Sequence, residues 1–117
     1  MKTGEQLMAE AKARIKEVTP QQVLDKQRRG DAITFLDVRD LHEVNAAKIP
    51  GSLHVSRGNL ETKIEPQLAR DAHVVVYCAN GNRSVFAADL LQQMGYEDVA
   101  SMSGGIRAWA DAGGEVE

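Results

Sequence analysis

A chain of 117 residues, 43% hydrophobic and 26% charged, has room for one packed domain and is far from disordered composition. Its net charge of −3 has the wrong sign for a general nucleic-acid binder. No apolar run reaches the ~20 residues of a bilayer span, and the charged opening "MKTGEQLMAEAKARIKEV" lacks the unbroken apolar segment of a secretory leader.

The single cysteine cannot form an internal disulfide, so nothing calls for an oxidising compartment. His42, His54 and His73 lie apart without metal-ligand spacing, and one cysteine cannot complete a zinc site of the usual kind. The expectation is a cytoplasmic domain with no metal, no cofactor, no membrane contact and no nucleic acid; a chain that begins at Met1 agrees with it.

In chain order, Leu7, Met8, Ala11 and Ile15 share one face at helical spacing, which predicts an amphipathic helix over 4–14 ahead of a domain over 15–117. The chain becomes briefly extended over 15–18. Thr19-Pro20 then opens a second helix that Gly30 ends. "AITFLDV" (32–38) is too short for a helix and reads as a strand, and Asp40 with Glu43 forms a capping box for a helix that stops before the turn "IPGS" (49–52). "LHV" (53–55) is a weak strand, followed by a polar helical segment between Leu60 and Arg70. "HVVVY" (73–77), apolar without alternation, is a parallel strand buried on both faces. A helix over 84–94, a strand "DVASM" (98–102) and a short glycine-bracketed helix within "GGIRAWADAGG" complete the chain. Strands alternating with helices specify an α/β domain with a mainly parallel sheet.

The only cysteine, Cys78, stands where the strongest strand ends, which is where open parallel sheets bind ligands. The small residues after it allow the backbone to curl, Gly81 taking a positive φ without penalty, so that successive N–H groups form an anion nest. The helix expected from Ser84 adds the positive end of its dipole, and Arg83 adds a permanent cation. All three favour thiolate over thiol. A packing role, the commoner fate of a lone buried cysteine, explains none of these neighbours.

"LDVRD" followed by "EVNAAKIPGS", then "VVVYCANGNRS", then "SMSGGIRAWADAGGEV" together resemble the single-domain rhodaneses, over about residues 17–115. Two departures lie in the turn: Ala47-Lys48 where the family often has Gly-His, and Ser52 where alanine is commoner. The resemblance implies a central, mainly parallel five-stranded sheet flanked by helices on both faces. It also implies a thiosulfate sulfurtransferase in which Cys78 carries a persulfide held by Ala79, Asn80, Gly81, Asn82, Arg83 and Ser84. The donor is a small sulfur anion such as thiosulfate, whose sulfonate Arg83 positions. The acceptor is cyanide or an external thiol, a protein thiol included, because the chain has no second cysteine. Phosphatase members of the fold have a loop one residue longer than the four residues between Cys78 and Arg83, which room for a phosphoryl group requires.

Asp37 and Arg39 end a strand on the same sheet edge as Cys78; they support the site or form a structural pair. Arg57 is a second cation for the pocket mouth or an ordinary exposed arginine. Trp109 is a core anchor. Two rivals stand beside sulfur transfer: a docking module on the same fold, and a small phosphatase or arsenate-type reductase.

Overall fold

The computed structural model describes residues 1–117, with elements in the order α1 (Gly4–Arg14), β1 (Lys16–Val18), α2 (Pro20–Arg28), β2 (Thr34–Asp37), α3 (Leu41–Ala46), β3 (Leu53–His54), α4 (Leu60–Lys63), β4 (His73–Tyr77), α5 (Asn82–Gln93), β5 (Asp98–Met102) and α6 (Gly105–Asp111). The five strands form one sheet in the order β1-β5-β4-β2-β3, and every pairing is parallel. The mainly parallel sheet expected from the sequence is therefore parallel throughout. No helix is long and apolar enough to cross a membrane.

The unbroken apolar run of β4 follows from its place at the centre, where both faces are covered. Val74, Val76 and then Cys78 face a core with Leu36, Val38, Val99, Ala87, Ala88 and Leu91. Val75 and Tyr77 face a second core with Phe35, Ala100, Met102, Val23 and Trp109. Trp109 anchors that side, its ring edge-on to Phe35 at 5.4 Å between centroids. Because every strand points the same way, Asp37, Cys78 and Met102 come to a common carboxyl edge.

At that edge Arg39 and Asp37 form a buried ion pair. The guanidinium donates through Nε and Nη2 to the carboxylate at 2.8–3.2 Å, the Arg39 amide donates to the same group, and Nη2 also reaches the Ala47 carbonyl at 2.6 Å. Nearby, the Tyr77 hydroxyl accepts the Ile49 amide and donates to Ser52 Oγ. Burial pushes the Tyr77 phenol up to about 12, so it stays a neutral donor. These contacts lock the turn after α3. The charges of Asp37 and Arg39 face each other and backbone groups.

Three expectations are corrected. The segment over 60–70 is helical only to Lys63 and continues as a 3₁₀ turn over Glu65–Gln67, since Pro66 has no N–H to donate and crowds the preceding turn. The stripe predicted on α1 is only partly used: Ala11 is buried, Met8 and Ile15 are half-buried, and Leu7 is exposed. The helix is also clamped to α5 by polar contacts, Arg14 forking onto Asp89 at 2.7 and 2.9 Å while Gln92 donates to the Arg14 carbonyl. Finally, α5 starts at Asn82, two residues before Ser84, because Gly81 at φ 96° turns the chain directly into it.

Removing the Asp37 carboxylate strands a buried guanidinium. Asp37→Ala is expected to lower unfolding free energy by about 3–5 kcal/mol, read from urea denaturation. Asp31→Ala, which loses only an exposed pair with Arg29, is expected to cost no more than about 1 kcal/mol.

Candidate active site

Cys78 leaves β4 fully buried. Its sulfur lies beneath a backbone curl, and the amide of Gly81 donates to Sγ at 3.1 Å. On its other side the Ser84 hydroxyl sits 3.6 Å from Sγ; that hydroxyl donates to the Gly81 carbonyl at 3.2 Å and is 2.8 Å from Ser101 Oγ. A short hydroxyl chain thus runs from β5 to the sulfur through the first turn of α5.

The curl is held from outside. The amides of Ile106 and Arg107, in the first turn of α6, donate to the carbonyls of Cys78 and Ala79 at 2.9 and 3.4 Å. With these carbonyls drawn outward, the loop backbone is free to turn the Gly81 amide inward. The approach is possible only at a glycine: a Cβ on Gly105, whose φ is +61°, would lie 2.3 Å from the Cys78 carbonyl oxygen and 2.6 Å from Ala79. Gly81 meets the backbone of Gly104 in the same way, at 2.9 Å.

Among residues 79–84, Gly81 alone places its amide within hydrogen-bond distance of Sγ. The amide of Asn82 is taken instead by Asn80 Oδ1 at 3.2 Å, a local side-chain turn that competes with the nest. Ser84 contributes its hydroxyl. Asn80 and Asn82 are the exposed residues of the loop.

Arg83 is held differently from the sequence expectation. Its Nη1 and Nη2 donate to the two oxygens of Glu43 at 3.0 and 2.9 Å, with Asp40 4.0 Å away. The hydrogen bond to Glu43, ahead of the opposing effect of burial, raises the Arg83 pKa, and the charges of Glu43, Cys78 and Asp40 act in the same direction. Glu43 also accepts the Asp40 amide at 2.9 Å, completing the start of α3. Its carboxyl falls from 4.5 to about 2: the bond from Arg83 is the main cause and burial opposes it.

Arg57 does not join this group; it pairs with Glu61 at 3.5 Å, at the start of a helical turn. Three residues that shape the site escaped the sequence reading: Glu43 read only as a cap, Ser101 as strand and Gly105 as helix start. Ser101 had a signal, a polar residue inside a buried apolar strand. Glu43 and Gly105 had none that spacing could reveal.

A parallel sheet that delivers a cysteine into a curl braced by the next helix defines a class of α/β domain. The chain belongs to the rhodanese-like domain family, whose pattern matches residues 19–112. It is 33% identical to the thiosulfate sulfurtransferase GlpE of Tolumonas auensis over 78 residues, 67% of this chain and 73% of that protein. It is 27% identical over 109 residues to a Bacillus subtilis protein named "Putative sulfur carrier protein YrkF", covering 93% of this chain but only 58% of that protein. Among solved structures, a Rhodopseudomonas palustris protein of unknown function, described as a possible tyrosine phosphatase, superposes with a TM-score of 0.90 at 36% identity, over 100% of this chain and 96% of that one. A rhodanese-related protein of Thermoplasma volcanium gives a TM-score of 0.78 at 30% identity, over 87% and 97% of the two chains.

Two outcomes follow from this geometry. Gly105→Ala is expected to cost about 1–3 kcal/mol more than Gly113→Ala, since both positions have positive φ but a Cβ on Gly113 meets nothing; thermal unfolding of the two variants measures the difference. The second concerns acid. Because the Glu43 pKa is lower in the folded state, its ion pair stabilises fully above pH 4.5 and loses that effect as pH falls towards about 2. The stability gap between the parent protein and Glu43→Gln is therefore expected to shrink over that window and to be flat above it.

Proposed function

We propose that the protein transfers a sulfane sulfur through a persulfide on Cys78. The observation that carries this reading is the Gly81 amide directed at Sγ within a loop braced by α6. An N–H aimed at sulfur, in a loop whose Cys78 and Ala79 carbonyls are bonded elsewhere, suits a sulfur that bears negative charge. The kinship with a thiosulfate sulfurtransferase and with a protein named as a sulfur carrier supports the same chemistry.

The reaction has two halves. The Cys78 thiolate attacks the outer sulfur of the donor; for thiosulfate the S–S bond breaks and sulfite leaves with its electron pair. The persulfide then occupies the curl of residues 79–84, with Gly81 and Ser84 nearest the inner sulfur. An external thiolate or cyanide attacks the outer sulfur and releases the Cys78 thiolate. No second cysteine is available within the chain to take the sulfur. Asp37 and Arg39 act indirectly, by fixing the turn beside the site.

Phosphate-ester hydrolysis, suggested by the description of the Rhodopseudomonas protein, fits less well. Four residues separate Cys78 from Arg83, the loop length that the resemblance associates with a sulfur atom and not with a phosphoryl group. Arg83 is moreover engaged by Glu43.

Incubation with thiosulfate, desalting and intact-mass measurement test the reading. The expected result is a gain of one sulfur atom, reversed by cyanide and absent in Cys78→Ser. A folded protein that gains no mass from thiosulfate or from an alkyl persulfide would refute it, and turnover of a generic aryl phosphate would replace it with the phosphatase reading.

A further inference from the structure

The cation of the Cys78 loop, Arg83, is already matched. Arg83 gives both terminal nitrogens to Glu43, and Asp40 stands 4.0 Å from the same guanidinium. Together these three side chains carry one positive and two negative charges. A thiosulfate dianion approaching Cys78 must displace Glu43 from Arg83 or approach without the cation, and in both cases it meets two carboxylates. A hydropersulfide has no sulfonate, and in its protonated form R–S–SH it carries no charge to be repelled.

We propose that Glu43 sets donor selectivity: by occupying Arg83 it disfavours dianionic donors and leaves the loop to small persulfides of the type R–S–SH. This rests on the sulfur-carrier reading of Cys78. In the persulfide reaction the Cys78 thiolate bonds to the outer sulfur, the R–S bond to that sulfur breaks, and R–S⁻ departs with the electron pair. The proton stays on the transferred sulfur or is lost to water. Nothing is oxidised or reduced overall. Glu43 is a specificity-determining residue that acts through Arg83 and touches no reacting atom.

Glu43→Gln isolates the charge, because glutamine can still accept the Asp40 amide and keep the start of α3. The KM for thiosulfate is expected to fall about fivefold, the size of a partly exposed ion pair of up to about 1 kcal/mol. The KM for the persulfide of N-acetylcysteine methyl ester, which has no carboxylate, should not move. In an Arg83→Gln background the same substitution should lower thiosulfate KM by clearly less than in the parent, since only the direct repulsion by Glu43 is then relieved; an equal fall in both backgrounds, as general loosening of the loop would give, overturns the part played by Arg83.

A binding measurement separates this inference from the carrier reading. Thiosulfate is titrated calorimetrically into Cys78→Ser, with and without Glu43→Gln. Tighter binding in the double variant supports the role of Glu43 even where no sulfur is transferred by the parent protein. Unchanged binding together with unchanged thiosulfate KM overturns it, even where Cys78 loads sulfur normally. A parallel fall in KM for both donors also overturns it, since selectivity would not have changed.

Discussion

Everything at the sulfur depends on two hydrogen bonds made at the other side of the loop. The first-turn amides of α6 draw the Cys78 and Ala79 carbonyls away from the centre. A peptide group has two ends, and fixing its C=O outward leaves the neighbouring N–H groups free to turn the other way. The loop that carries this donor to Sγ is thus braced from α6, whose cap residue Gly104 also lies close against Gly81. This explains why a close contact is tolerated at Gly105, where any side chain would collide with the loop.

The sheet supplies the second constraint. Alternation along β4 assigns Val74, Val76 and Cys78 to the α5 side and Val75 and Tyr77 to the α6 side. Cys78 thus extends a core row and reaches the carboxyl edge without leaving it. On the opposite face Tyr77, with the Asp37–Arg39 pair, secures the turn that follows α3. That turn and the Arg83 fork together fix α3, which brings Glu43 to the loop.

Much of this was written locally. The apolar run of β4, the proline after Thr19 and the glycine of the cysteine loop each act through their own backbone, and each can be read from adjacent residues. The bracketing of Cys78 by Gly81 and Ser84 was legible for the same reason. Contacts between distant segments were not. Glu43 and Arg83 are separated by 40 positions, and a capping role already accounted for the glutamate. The amphipathic reading of α1 held for Ala11, Met8 and Ile15 but not for Leu7, and it could not show the polar clamp of Arg14 on Asp89. The nest was only partly as expected, because Asn80 closes its own turn onto Asn82 and removes that amide from the centre.

The helices also divide by how they begin. Thr3 with Gln6 and Thr19 with Gln22 close α1 and α2 with their own side chains. By contrast, α5 and α6 open on left-handed Gly81 and Gly104, which have no side chain to offer. The first pair can form from local sequence alone. The amides of α6 find their partners in the loop after β4, about 28 positions back along the chain, Ile106 on Cys78 and Arg107 on Ala79. The thiol's surroundings consequently belong to the assembled domain and to no single segment: without α6 in place, the loop after β4 lacks the two amides that hold its carbonyls.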